Sequence, residues 1–344
     1  MNQATDPART PRVTISDVAR QAGVSVTTVS HALNGRGQVD PATRQKVEEV
    51  ARELGYTPNR HAQKLRGGGS NMIALMSSMP FAVAGGPSRL GFLMEVASVA
   101  AASALERGMA MVLVPPLETG QRSLDFLDID GALLIEPSAD DKLLKELVAR
   151  GLPVVSIGKP GGDAFGQVPY VDLLSGQTVQ MLLEHMQAQG ARQIAMVLGA
   201  AERNSYAQAE LAYQAMVEAN GMEHISLRVD ESRGEAGGRD AARMLLAAHP
   251  QIDALLVLVD VFAVGVAQYL QQTGLRVPQD IMLATRYDGI RARTSEPPLT
   301  AVNLHLDQVA RLAIDLLFDR MRRGSHRLVA PSPMPELVVR TSTR

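Results

Sequence analysis

The 344-residue chain is 46% hydrophobic and only 20% charged. That is enough apolar material for two or three folded domains, and too much for a disordered chain. It has no cysteine, which excludes disulfides and thiolate metal sites and suits a reducing compartment. Its net charge of -2 hides an asymmetry: residues 1–70 carry ten Lys and Arg against six Asp and Glu, and the remainder carries 24 against 30. A basic head before an acidic body points to a phosphate-bearing partner at the head.

The opening MNQATDPARTPR is polar and contains proline, so residues 1–12 are expected to be a disordered tail. It lacks the apolar core of a secretion signal, and no later run approaches the ~18 apolar residues of a membrane span, so a cytoplasmic protein is expected. The stretch TISDVARQAGVSVTTVSHALN follows. Thr14, three before Asp17, starts a capping box for a helix with Val18, Ala19 and Ala22 on one face. Gly23 breaks that helix and Val24 plugs a tight turn. Ser25 then caps a second helix facing inward through Val29 and Leu33. By spacing alone this is either an αα-hairpin in a helical core or a helix-turn-helix whose second helix enters the DNA major groove. In the latter, Val26, Thr27, Ser30 and His31 face the groove.

Gly35–Val39 reads as a loop. Asp40 caps a third helix with Pro41 at its first position, an apolar stripe at Val47, Val50, Ala51 and Leu54, and Gly55 as its terminator. The segment from Asn59 to Arg66 is basic, carries one apolar residue, Leu65, and is too short for a stable isolated helix. With Gly67–Gly69 it is either a plain linker or a hinge helix ordered on DNA. In the second case Leu65 wedges between base pairs in the minor groove. From Met72 short apolar runs (MIALMSS, AMVLVPP, GALLIEP, LPVVSIG, QIAMVLG, ISLRV, DALLVLV, DIMLATR) alternate with helix-like stretches near 88–107, 140–150, 175–190, 206–220, 235–248, 260–273 and 305–323. This is the pattern of βαβ units with parallel sheets covered on both faces, either as one TIM barrel or as two doubly wound lobes. The last run, ELVVRTST, is expected to add a strand.

The pattern DVARQAGVS-VTTVS-ALNG, then VD-P-TR-KV--ELGY-PN--A--L, resembles the head and hinge of the LacI family of bacterial transcriptional regulators. HMQAQGARQIAMVLG, GLRVPQDI and YDGI with PPLTAVNLHLDQVARLAIDLL are similar to later family segments, so the resemblance runs from Val13 to the C-terminus. It implies a small all-α helix-turn-helix head (13–57), a hinge helix and linker (58–70), and an α/β periplasmic-binding-protein-like core (71–344). That core has two Rossmann-like lobes with parallel sheets, about 71–170 plus 304–328 and about 173–301 plus 336–344. The chain is then expected to cross between lobes near Tyr170–Leu173, Ala301–Leu304 and Leu328–Glu336, and the barrel is disfavoured. The function implied is a sequence-specific regulator, by family default a repressor, bound to a palindromic operator as a homodimer and controlled by a sugar or other metabolite.

The resemblance also implies roles for particular residues. Val26, Thr27 and His31 match base-reading positions, and His31 stands where many members carry Arg, as in the purine-type branch. Thr14, Ser25, Thr28, Ser30 and Asn34 read as caps and phosphate contacts. Tyr56 reads as core packing with its hydroxyl near DNA, and Asn59, Arg60, Gln63 and the wedge Leu65 complete the DNA-facing set. Ligands of two-lobed α/β proteins sit beyond the carboxyl ends of the strands. That rule selects Ser77, Ser78, Pro80, the 85–92 loop with Arg89 and Phe92, then Lys159, Asn204, Ser205, Tyr206, Asp260, Phe262, Arg286, Tyr287 and Asp288. Two departures stand out: an arginine many members turn on the ligand falls at Ala209, and the usual glycine before the acidic motif is Arg286. The loop AGGPSRLGF replaces the usual NPFF-type stretch, which makes Arg89 a further candidate cation. No phosphate loop, nucleophile elbow or H-E-x-x-H motif is present, and the seven histidines are scattered. Neither an enzyme nor a cofactor is therefore expected.

Overall fold

The computed structural model describes residues 13–34, 39–54, 56, 69–84, 91–116, 124, 127–322 and 327–344, with the side chains of Asn34 and Asp163 left aside. The chain divides into two compact units, Met1–Gly69 and Ser70–Arg344. In the first, helices α1 (Ile15–Ala22), α2 (Val26–Asn34) and α3 (Pro41–Glu53) close around Val18, Ala19, Ala22, Val29, Ala32, Val47, Val50 and Ala51. Ala32, which the sequence pattern leaves out, is buried in this core, whereas Leu33 only packs at its margin. The caps are local. The Asp17 carboxylate accepts from the Thr14 backbone N–H at 2.9 Å and from its hydroxyl at 2.6 Å. Gly23 sits at φ +69°, a left-handed turn that favours glycine. The Asp40 carboxylate accepts from Thr43 N–H at 3.1 Å. Residues 35–38 of the expected loop Gly35–Val39, the terminator Gly55 and the hinge segment Asn59–Arg66 lie outside the described residues.

The second unit holds two open parallel sheets rather than a barrel. The first contains β1 (Met72–Ser77), β2 (Ala110–Leu113), β3 (Gly131–Ile135), β4 (Val154–Ile157), β5 (Tyr170–Val171) and β11 (Val329–Ala330), in the order β11-β5-β4-β3-β1-β2. The second contains β6 (Ile194–Gly199), β7 (Ser226–Val229), β8 (Ala254–Val257) and β9 (Met282–Thr285), in the order β7-β6-β8-β9. Every pair within each sheet is parallel. Central strands β3, β6 and β8 are buried along their whole length, as expected for sheets with helices on both faces. AMVLVPP departs from that pattern: as the edge strand β2 it leaves Ala110 and Leu113 exposed, because among the described residues no strand pairs beyond it in the sheet.

The chain passes between the sheets three times. It leaves the first after β5 and enters the second through helix Ser175–Ala188. It returns through β10 (Ala301–Asn303) to helix Leu306–Met321, which packs on β3, β4 and helix Phe92–Glu106. After β11 joins the first sheet, β12 (Glu336–Val338) pairs antiparallel with β10, and the Thr341–Thr343 turn packs on β9. The expected terminal strand ELVVRTST is thus only three residues long. Beyond it the chain is pinned by side chains, Ser342 Oγ donating to the Leu283 carbonyl at 2.6 Å and accepting from Thr300 N–H at 2.8 Å. Among the described residues, no helix is long and apolar enough to cross a membrane.

Candidate nucleic-acid interface and interlobe site

In the head, the helix-turn-helix geometry follows from the turn. Val24 N–H donates to the Ala19 carbonyl at 3.1 Å, and its side chain plugs the core between α1 and α2. The Ser25 hydroxyl accepts from Thr28 N–H at 3.0 Å and shares a 2.8 Å hydrogen bond with the Thr28 hydroxyl, fixing the start of α2. With Val29 fully buried, helical periodicity turns Thr27 and His31 to the opposite side, with Val26 and Ser30 along one flank. Val26, Thr27 and His31 are exposed there and Ser30 is half-buried. Val26 is 39% exposed at the start of the helix. Thr14 and Ser25 are exposed, Thr28 is half-buried, and Tyr56 packs half-buried against the head core. Burial raises the Tyr56 hydroxyl above its ordinary pKa, so it stays a neutral donor. Asn59, Arg60, Gln63 and Leu65 lie outside the described residues, as does the side chain of Asn34.

In the larger unit a cleft opens at the carboxyl ends of both sheets. Ser77, Met79, Val83, Ala84, Phe92, Leu93, Ile135 and Glu136 line it from the first lobe, and Tyr206, Leu258, Val259, Asp260, Arg286 and Tyr287 from the second. Phe92 and Tyr287 meet edge to face across it, ring centroids 5.3 Å apart. Its polar end is a buried charge network. The Arg203 guanidinium makes a two-pronged pair with Glu231, at 3.1 Å through Nε and 2.8 Å through Nη2, and also donates to the backbone carbonyls of Glu136 and Ser78. The Tyr206 hydroxyl donates to the same Glu231 carboxylate at 2.7 Å. Burial works against the charge on Arg203, but its hydrogen bonds and ion pair with Glu231 outweigh it and raise the pKa. Burial and then the Glu231 charge push the Tyr206 hydroxyl well up. Gly199 is required beneath the network, because a Cβ there would lie 2.5 Å from Glu231 Oε1 and 2.6 Å from the Tyr206 hydroxyl.

Glu136 follows β3 at φ +49°, a left-handed conformation rare outside glycine, and is 3% exposed. Its Oε2 accepts from the Ser205 hydroxyl, and its Oε1 lies 3.6 Å from Arg286 Nη2. Asp260 is held by Arg291 Nη1 at 3.1 and 3.2 Å and by Val261 N–H at 2.7 Å. The Tyr287 hydroxyl is raised by burial and then by the neighbouring Glu95 carboxylate.

Of the effector residues selected from sequence, Phe92, Tyr206, Asp260 and Arg286 meet in this cleft, together with Ser77 and Tyr287. The others do not. Phe262 is fully buried, its backbone pressed against Gly238 in the second lobe's own core, so it does not face the cleft. Lys159 is exposed outside the lining. Asp288 turns away to Arg340 at 2.7 Å and Arg293 at 3.5 Å. Asn204 opens helix Asn204–Asn220 half-buried, and Ser78 contributes its carbonyl to Arg203. Arg89 lies outside the described residues. Glu136, Arg203, Glu231 and Arg291 were missed. Glu136 directly follows a strand's carboxyl end and so obeyed the rule already in use, whereas Arg203 and Glu231 become partners only through the fold. Ala209 is fully buried, and cations near this cleft come instead from Arg203, Arg286 and Arg291.

A helix-turn-helix head followed by two linked parallel-sheet lobes defines a class of DNA-binding regulator. Residues 14–59 match the family model described as bacterial regulatory proteins, lacI family, and residues 183–343 match the periplasmic binding protein-like domain. The HTH-type transcriptional regulator CelR of Thermobifida fusca is 32% identical over 330 residues, covering 91% of this chain and 93% of that protein. The HTH-type transcriptional repressor PurR of Vibrio campbellii is 27% identical, covering 96% and 98%. A CelR–cellobiose complex superposes with a TM-score of 0.70 at 29% identity over 96% of this chain and 100% of that one. A lac repressor dimer bound to operator and the anti-inducer ONPF shares the fold, with a TM-score of 0.76 at 24% identity over 97% and 99%. The chain belongs to the LacI family: it is a DNA-binding transcriptional regulator and not an enzyme.

Proposed function

We infer that this chain is a cytoplasmic repressor that binds a palindromic operator as a homodimer, with a small metabolite between its lobes setting operator affinity and no cofactor taking part. The observation that carries the reading is the exposed Val26, Thr27 and His31, with half-buried Ser30 beside them, on a locally capped helix, in a chain that also holds a buried, charge-lined cleft. In this reading Val26, Thr27 and His31 read base edges, with His31 donating to or accepting from a base and Val26 packing on a thymine methyl. Thr14, Ser25, Thr28, Ser30, Asn34 and Tyr56 hold the phosphates. Asn59, Arg60 and Gln63 line the hinge, and Leu65 is the wedge that opens a central base step. Two heads on a palindrome require two protomers related by a two-fold axis. The relatives support this: one is named a repressor, one was solved as a dimer on operator with a ligand, and one was solved with cellobiose. A ligand in the cleft biases how the lobes close, and that bias is coupled to the DNA heads.

The test is selection of bound duplexes from a random DNA pool at stated salt, with and without a metabolite extract. Recovery of one palindrome with a flexible central step, enriched or depleted by the extract, is the expected result. Recovery of an isolated half-site overturns the dimer, and enrichment indifferent to every extract overturns control by a metabolite.

A further inference from the structure

The polar groups of the interlobe cleft divide into those satisfied within one lobe and those satisfied only across it. Arg203 with Glu231 and Tyr206, and Asp260 with Arg291, are pairs within the second lobe, although Arg203 also donates across to the Ser78 and Glu136 carbonyls. Glu136 is different: its carboxylate belongs to the first lobe and, among the described residues, is met by Ser205 and Arg286 of the second alone. Even with the lobes closed, Glu136 Oε1 and Arg286 Nε have no hydrogen-bond partner, although the two residues are 3% and 5% exposed. A buried carboxylate oxygen and a buried guanidinium N–H left unmade side by side on a cavity wall are costly, and a ligand that supplies both partners removes the cost. The cleft holds about 30 Å³ of free space, too little for a ring-sized molecule, so such a ligand enters as the lobes separate and takes over these crossing contacts.

Charge and lining restrict what that ligand is. The three arginines Arg203, Arg286 and Arg291 face the three carboxylates Glu136, Glu231 and Asp260, and half-buried Glu95 beside Tyr287 adds a negative charge. Among the described residues, an anion such as a carboxylate or phosphate therefore finds no surplus cation. A cation pairs with Glu136 only by leaving Arg286 desolvated. Around this pole the wall is apolar, with Val83, Leu93, Phe92, Leu258 and Val259. A polyhydroxylated sugar would bury many hydroxyls against such a surface with few groups to receive them. Carboxylate accepts only and guanidinium donates only, so a molecule seated between them needs a donor and an acceptor on adjacent atoms.

We propose that the cleft takes an uncharged ligand with an amide-like donor–acceptor edge, bound between Glu136 and Arg286, on an apolar or aromatic body lying against Phe92 and the valine–leucine wall. The proposal rests on reading this cleft as the effector site. It is tested on the full chain by thermal unfolding with four probes at millimolar concentration: benzamide, benzoate, benzylamine and cellobiose. Benzamide is expected to raise the midpoint by about 3 °C when well above its Kd, with no comparable shift from the other three. Glu136→Gln, referenced to its own unliganded midpoint, is expected to abolish the shift, because a carboxamide in place of the carboxylate weakens acceptance from the ligand N–H. Ser205→Ala, which spares both Glu136 and Arg286, is expected to keep most of it. A larger shift with benzoate, benzylamine or cellobiose that Glu136→Gln removes overturns the ligand class while leaving the cleft as effector site. A benzamide shift that survives Glu136→Gln, or no shift with any probe, also overturns the proposal. The effector-site reading falls separately, if a metabolite extract changes operator binding equally in wild type and Glu136→Gln.

Discussion

The head and the cleft use polar side chains in opposite ways. In the head, Thr14 and Asp17, Ser25 and Thr28, and Asp40 and Thr43 bond three residues apart at the surface, where each pair fixes one helix end and leaves the recognition face free to be chosen by its partner. In the cleft, Arg203 and Glu231 lie 28 residues apart within the second lobe and Ser205 and Glu136 lie 69 apart across the two lobes, all buried, and each pair is made only by the tertiary fold. Local polar bonds tolerate loss because water replaces the missing partner. Buried ones do not, because the remaining charge has nowhere to turn.

That contrast is sharpest at Arg203. Arg203→Ala leaves the Glu231 carboxylate buried without its cation and is expected to cost about 3–5 kcal/mol in urea unfolding of the larger unit. Arg203→Met with Glu231→Gln is expected to cost less than the single change. A loss under about 1 kcal/mol from Arg203→Ala would show the network to be hydrated and would erase the distinction. His31→Ala is next. It is expected to leave the head folded and the salt dependence of DNA binding unchanged while losing about 2 kcal/mol of discrimination at one base pair, read by repeating the duplex selection. A uniform loss across all sequences would make His31 a phosphate contact instead. Ser25→Ala removes only an exposed cap and is expected to cost about 1 kcal/mol of head stability; a loss as large as that of Arg203→Ala would break the comparison from the other side. The smallest effect is alkaline. Tyr206 and Tyr287 keep their protons above the ordinary range, through burial first and then through Glu231 and Glu95. Their unfolded counterparts ionise near pH 10, so the stability tied to them is complete below that pH and drains away as pH rises above it, about 0.4 kcal/mol per tyrosine at about pH 10 and more beyond. Tyr206→Phe is expected to flatten that decline in unfolding midpoints measured above neutrality.

The head was legible because its determinants are short-range. The capping box at Thr14, the left-handed Gly23, the plug Val24 and the caps Ser25 and Asp40 each act within a turn or two, and the structure places them as the spacing implies. The strands were legible for a related reason: a buried parallel strand must be a continuous apolar run, and β3, β6 and β8 are such runs. The cleft was legible only in outline. The rule that ligands sit beyond strand ends located Tyr206, Asp260 and Arg286, yet it also selected Phe262, Lys159 and Asp288. Helix phase, position on the surface and the distant partner Arg340 place those three elsewhere.

By itself, then, the sequence determined the short capped helices of the head and the alternation of strands and helices, because caps, turns and apolar periodicity act over a few residues, while its resemblance to the LacI family implied the kind of regulator they compose. Only the tertiary structure decided which charges share the cleft. The pairing of Arg203 with Glu231 depends on how the second lobe folds, and the half-satisfied meeting of Glu136 with Arg286 on how two lobes, crossed three times by one chain, bring remote strand ends together.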